Sequence, residues 1–99
     1  MLFMIYCVDK PNSMPLRMQT RPAHLEHIKP LVEEARLLTA GPTPHLDPEQ
    51  TGDKGMSGSL IIADFENIDA ANTWAKNDPY ALAGLFETVT VKPYLKVLP

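Results

Sequence analysis

An α+β fold is predicted by three features of the sequence. Four apolar runs of strand length are bounded by turn residues. Two stretches repeat their apolar residues at a helical period. Taken in chain order, the six elements read β-α-β-β-α-β. That order is the ferredoxin-like plan, a four-stranded antiparallel sheet with both helices on one face. A chain of 99 residues is one domain, here residues 1–99.

The first strand is Leu2 to Val8, apolar on both faces and ended by Asp9-Lys10-Pro11-Asn12. Ser13 can cap a short helical segment from Met14 to about Thr20, with Pro15 tolerated in its first turn. A longer helix is predicted from about Pro22 to Ala35, because Leu25, Ile28, Leu31, Val32 and Ala35 fall within one arc at roughly 100° per residue. Glu26, Lys29, Glu33 and Glu34 fall outside that arc, and His24 falls inside it. Pro30 removes one backbone hydrogen bond and predicts a kink on the polar side.

Arg36 to Ala40 is the second strand, stopped by Gly41-Pro42. Thr43 to Gly55 reads as a long polar loop, and a loop of that length in so small a domain suggests a lid, a rim or an interface arm. Ser59 to Phe65 is the third strand, with Gly58 marking a close backbone approach or a bulge. Asn67 caps a helix from Ile68 to about Lys76, and Asn77 suits a left-handed terminal position. Asp78-Pro79 then starts a further short helix. Thr88 to Val97 is the last strand, with an edge or a bulge at Pro93.

Two helices cover only one face of such a sheet, yet the first and third strands are apolar on both. The expected solution is a homodimer in which open sheet faces meet, an α/β barrel-type assembly with a cleft at its rim. A domain of this size buries only about two-thirds of its unfolded surface, which also favours a partner subunit.

Composition narrows the function classes. The hydrophobic fraction of 44% and charged fraction of 21% are those of a globular protein. A net charge of −3 without a basic cluster argues against nucleic acid or an anionic membrane as partner. One cysteine excludes a disulfide framework and a Cys-based zinc site. The apolar opening run lacks a basic stretch before it and a cleavage site after it, so a cytoplasmic location is expected.

Among the candidate chemical groups, His24 comes first. Imidazole is the side chain that titrates nearest neutral pH, and this one lies on a buried helix face. It is either a core or rim histidine bonded to a carbonyl, or a general acid or base. Asp78 and Asp9 are the carboxylates that could orient it, although Asp78 is also explained as a helix cap and Asp9 as a turn residue. His24 and His27 are spaced to share a metal, but no third ligand is placed, and no metal is expected. Ser57 and Ser59 lack a nucleophile-elbow pattern, Gly52, Gly55 and Gly58 make no dinucleotide fingerprint, and Cys7 and Trp74 read as core. No cofactor motif is visible.

Several segments together resemble one family. They are Ile5-Tyr6-Cys7-Val8-Asp9-Lys10, Arg21-Pro22-Ala23-His24-Leu25, Arg36 to Pro42, Gly58-Ser59, Trp74-Ala75 followed by Asp78-Pro79-Tyr80, and Val91-Lys92-Pro93-Tyr94. In order, they are similar to the YciI-like (YCII-related) family over nearly the whole chain. The resemblance implies a ferredoxin-like fold that dimerises through its sheets. It also implies a His-Asp pair in a pocket, at His24 and Asp78, and picks out Asp9 and Ser59, which are expected to bind substrate or relay a proton. One relative in this family is a dehydrochlorinase acting on a chlorinated hydroxyquinol. The expectation is therefore a small-molecule enzyme using His24 and Asp78 for elimination or isomerisation. The first alternative is a dimeric small-molecule-binding or accessory protein in which the pair is structural, and the second is a haem-binding dimeric barrel with a histidine as axial ligand.

Overall fold

The period-two pattern of the first strand decides which side of the sheet is covered. In the computed structural model, which describes residues 1–46 and 55–99, β1 spans Leu2–Asp9 and buries Phe3, Ile5, Cys7 and Asp9 on one face. It is followed by α1 (Met14–Glu33), β2 (Leu37–Pro44), β3 (Met56–Asp64), α2 (Ile68–Lys76), a single turn α3 (Pro79–Leu82) and β4 (Phe86–Pro93). The strands order as β2-β3-β1-β4 and every neighbouring pair is antiparallel. This is the βαββαβ topology that the element order predicts, with the one-turn α3 added before the last strand.

Phe3, Ile5 and Cys7 of β1 and Ile61 and Ala63 of β3 form one core with Ile28 and Leu31 of α1 and Ala71 and Ala75 of α2. Both long helices therefore cover the same sheet face. Each large side chain buried there contributes about 1.5–3 kcal/mol of transfer free energy. Cross-strand register carries the row across the sheet, since Cys7 opposes Ser59 and Ile5 opposes Ile61. Asp9 and Ser59 are the polar end of that otherwise apolar row.

Several element boundaries differ from the sequence reading. Met14 to Glu33 is one helix, with Pro22 and Pro30 inside it. The carbonyls each proline leaves without a helical donor belong to Met18 and Glu26, which are exposed residues, where solvent can satisfy a freed carbonyl. The buried stripe of this helix is Arg17, His24, Ile28 and Leu31, while Leu25 and Val32 are 45% and 58% exposed. Ser13 occupies the cap position without capping. Its hydroxyl donates to the Pro11 carbonyl (3.3 Å), and Pro15 removes one of the amides it could have accepted from.

β2 continues through Gly41-Pro42 to Pro44, which is possible because it is an edge strand and a proline there need not donate to a neighbour. The expected loop shrinks accordingly. Thr43 and Pro44 belong to β2 and Met56 opens β3, and residues 47–54 of the suggested lid lie outside the described residues. β4 stops at Pro93 because its partner begins at Leu2. After Tyr94 N–H donates to the Leu2 carbonyl, Leu95 to Leu98 have nothing to pair with. Asn67 caps α2 as expected, accepting from Ala70 N–H at 2.8 Å. Asn77 is right-handed (φ −91°) because Asp78 restarts a helix at once.

Left-handed backbone occurs instead at Asn12, at Gly84 and, at the end of α1, at Ala35 (φ 57°). There Arg36 N–H reaches the Leu31 carbonyl and Ala35 N–H the Val32 carbonyl, a Schellman ending to α1. Alanine in that conformation is strained, so Ala35→Gly should raise the free energy of unfolding by about 0.5–1 kcal/mol. Gly58 carries the opposite prediction. A Cβ built on it would lie 1.8 Å from the Cys7 carbonyl oxygen, so Gly58→Ala must displace the β1–β3 backbone. It should cost about 3 kcal/mol or more. Urea unfolding of both variants measures the two effects.

Candidate active site

Two turns of α1 separate Arg17 from His24, which places both on the buried stripe about 10 Å apart along the axis. The one-turn helix α3 supplies what lies against them. Its cap residue is Asp78, whose Oδ1 accepts from Tyr80 N–H at 2.9 Å, and its second residue is Tyr80.

His24 Nδ1 lies 2.9 Å from each carboxylate oxygen of Asp78, which is 2% exposed. An ionised carboxylate only accepts, so Nδ1 carries the proton in this contact, and neutral His24 keeps its lone pair on Nε2. The imidazole also stacks on the Tyr80 ring, with centroids 4.0 Å apart and planes inclined by 17°. One bond in the ring plane and one contact on its face leave the imidazole little freedom to rotate.

Arg17 lies over the Tyr80 ring, with its guanidinium carbon 4.7 Å from the ring centroid. It donates from Nε to Asp9 Oδ2 (2.8 Å) and from Nη2 to Asp9 Oδ1 (2.9 Å) and Ser59 Oγ (2.9 Å). Burial works against the Arg17 charge, but the hydrogen bonds and negative charge of Asp9 outweigh it and hold the group above its ordinary value. Burial likewise pushes the Tyr80 hydroxyl up, against the opposing pull of Arg17 and Arg21.

These groups surround a cavity of about 150 Å³. His24, Arg17, Arg21, Ser59 and Tyr80 give it its polar wall, and Ile28 and Ile61 lie on its apolar wall. His24 is 90% buried at the side chain yet lines this space, so it is enclosed without being sealed. Asp9 and Asp78 stand one layer back, each behind the cation or ring that it holds.

The remaining candidates separate from the site. His27 stacks on Trp74 (4.4 Å) and its Nε2 lies 2.9 Å from the Trp74 carbonyl, so it faces away from His24 chemistry. Among the described residues no group of three His, Cys, Asp or Glu side chains converges as a metal site would. The Cys7 thiol is pushed up to about 12, by burial first and then by the charges of Asp78 and Asp9, so it is a poor nucleophile at neutral pH. Sequence reasoning missed Arg17, Arg21 and Tyr80. The arc used for His24, Ile28 and Leu31 passes through Arg17 when carried back beyond Pro22, and that continuation is the signal that would have found it.

The layout is that of a small α+β domain with a buried carboxylate-bound histidine at one end of its sheet. The YCII-related domain matches residues 1–95, and the chain belongs to that family. It is 50% identical over 97 residues to Protein YciI of Escherichia coli O6:H1, covering 98% of this chain and 99% of that protein. It is 46% identical over 97 residues to an uncharacterized protein of Haemophilus influenzae, with the same coverage. Among solved structures it resembles the 5-chloro-2-hydroxyhydroquinone dehydrochlorinase of Burkholderia phenoliruptrix in complex with 2,5-dihydroxybenzoquinone. The two share a TM-score of 0.83 and 37% identity over 96% of this chain and 94% of that one. Among the described residues no helix is long and apolar enough to cross a membrane.

The Arg17–Asp9 pair is a stability prediction as well. Arg17→Met strands the Asp9 carboxylate in a site that is 9% exposed, and should cost about 3–5 kcal/mol. Adding Asp9→Leu should recover part of that loss, because no buried charge is then left alone. A double-mutant cycle in urea reads the coupling.

Proposed function

We propose that the protein is a cofactor-independent enzyme of proton-transfer chemistry, acting by elimination or isomerisation on a small cyclic, carbonyl-bearing compound. The observation that carries this reading is the His24–Asp78 contact. It directs the imidazole's basic nitrogen away from the carboxylate on a ring that lines the cavity. The likeness to a dehydrochlorinase supports the same class.

In this reading His24 Nε2 takes a proton from a position acidified by a neighbouring carbonyl or hydroxyl. The electron pair of the broken bond moves into the ring system. Where a chloride stands on the ring it leaves with its own bonding pair, and hydrogen chloride is the net loss. Where there is no leaving group, the imidazolium returns the proton at another atom and the result is an isomer. Asp78 orients His24 and stabilises its protonated form. Ser59 contacts substrate from the β3 side. Asp9 acts through Arg17, fixing a cation at the cavity wall.

Chloride release from 5-chloro-2-hydroxyhydroquinone, the compound named for the structural relative, is the direct assay. His24→Ala should lower kcat by about 10²–10⁴-fold. Asp78→Asn retains an oxygen for the Tyr80 amide and should keep the fold while also lowering kcat. Full turnover by His24→Ala would remove the acid–base role and leave the cavity as a binding site.

The same chain is proposed to act as a homodimer through its open sheet face. Met4, Tyr6, Leu60 and Ile62 share that face by register, and Tyr6 is 41% exposed. Ile62 is buried there without joining the helix-side core. The protein should sediment at about twice 11.0 kDa, and Tyr6→Glu should shift it to the monomer mass.

A further inference from the structure

The His24 cavity has a neighbour. A second cavity of about 270 Å³ shares Arg17, Arg21, Pro42 and Tyr80 with it, and is otherwise lined by Met14, Met18 and Met56. Sizes and linings differ in a way that assigns each a different part of a ligand. A void of about 150 Å³ takes roughly one benzene ring, and here it carries the acid–base group. Among the described residues the larger space has no titratable group besides the shared ones. Its three thioether side chains form an adaptable apolar lining of the kind methionine provides.

The shared wall carries two arginines that are not equivalent. Arg17 is buried, and its Nε and Nη2 are committed to Asp9 and Ser59. Arg21 is exposed, lines both cavities, and among the described residues has no carboxylate within ion-pair distance. Asp78, the other carboxylate nearby, is held by His24 and does not line either space. Among the described residues the charge at the junction is therefore an unmatched cation on an accessible guanidinium, suited to a carboxylate or ionised hydroxyl.

Building on the proton-transfer reading, we propose that the substrate is an anionic six-membered ring with an apolar substituent. The ring lies at His24, an ionised oxygen lies on Arg21, and the substituent lies among Met14, Met18 and Met56. This makes Arg21 and Met18 specificity-determining residues, with no part in the proton transfer itself.

Calorimetric binding tests it with defined probes. One is 2,5-dihydroxybenzoquinone, ionised at neutral pH, against hydroquinone, a neutral ring of similar size. The other is the same dihydroxybenzoquinone carrying a hexyl chain on a ring carbon. The protein should prefer the anionic ring over the neutral one by about 10- to 100-fold, and Arg21→Gln should remove that preference. The chain should tighten binding by about fourfold per buried methylene, and Met18→Glu should abolish that gain. An anion preference that survives Arg21→Gln overturns the proposal, and so does a hexyl chain that brings no gain. Both readouts are ratios of affinities. A failure of the His24 chemistry leaves them intact, and their failure leaves the chemistry intact.

Discussion

The carboxylate of Asp78 is the constraint on which the site depends. It closes the first turn of α3 by accepting from Tyr80 N–H, and it holds His24 Nδ1 with both oxygens. The first bond is an ordinary cap, worth about 1 kcal/mol. Its consequence is larger than its energy, because the same turn delivers the Tyr80 ring to the face of His24 and beside Arg17. Folding of a four-residue helix and orientation of a potential catalytic base are thus one event. A residue that the local sequence justifies completely as a cap is also the partner of a histidine 54 positions away.

A second carboxylate works in the same indirect manner. Asp9 ends the apolar row of β1, where an unpaired charge would be costly, and Arg17 meets it with two hydrogen bonds. Ser59, across the sheet, takes a third bond from the same guanidinium. The pair ties the first strand, the first helix and the third strand together at the rim of the core. In both cases an acid stands behind a base and sets its position, so the groups that line the cavity are His24, Arg17 and Ser59 rather than the aspartates.

Local signals in the sequence reached the topology and much of the site, and failed where tertiary context overrides them. The strand order follows from the order of elements, and the inward direction of His24 follows from helical period. Asn67 and Asp78 were legible as caps because capping needs only neighbours two or three residues apart. Spacing alone left Asp9 and Asp78 equally available to His24, and only their place in the family motifs separated them. The two-helix reading failed at Pro22, since proline is a break only where the freed carbonyl cannot be solvated, and Met18 is 60% exposed. That break also hid Arg17 from the buried stripe. Ala35 could not be foreseen as left-handed, because the energy that forces it there comes from the Schellman bonds of Leu31 and Val32 and not from any preference of alanine.

The two edge strands share a feature whose effect lies outside the site. β2 carries Pro42 and Pro44, and β4 ends on Pro93. Each proline deletes a donor from a row that a foreign strand would need, so neither border of the sheet is a good template for lateral growth. A protein with apolar residues on both sheet faces would otherwise be a candidate for ribbon-like aggregation. Its prolines therefore work against growth through the edges of the sheet.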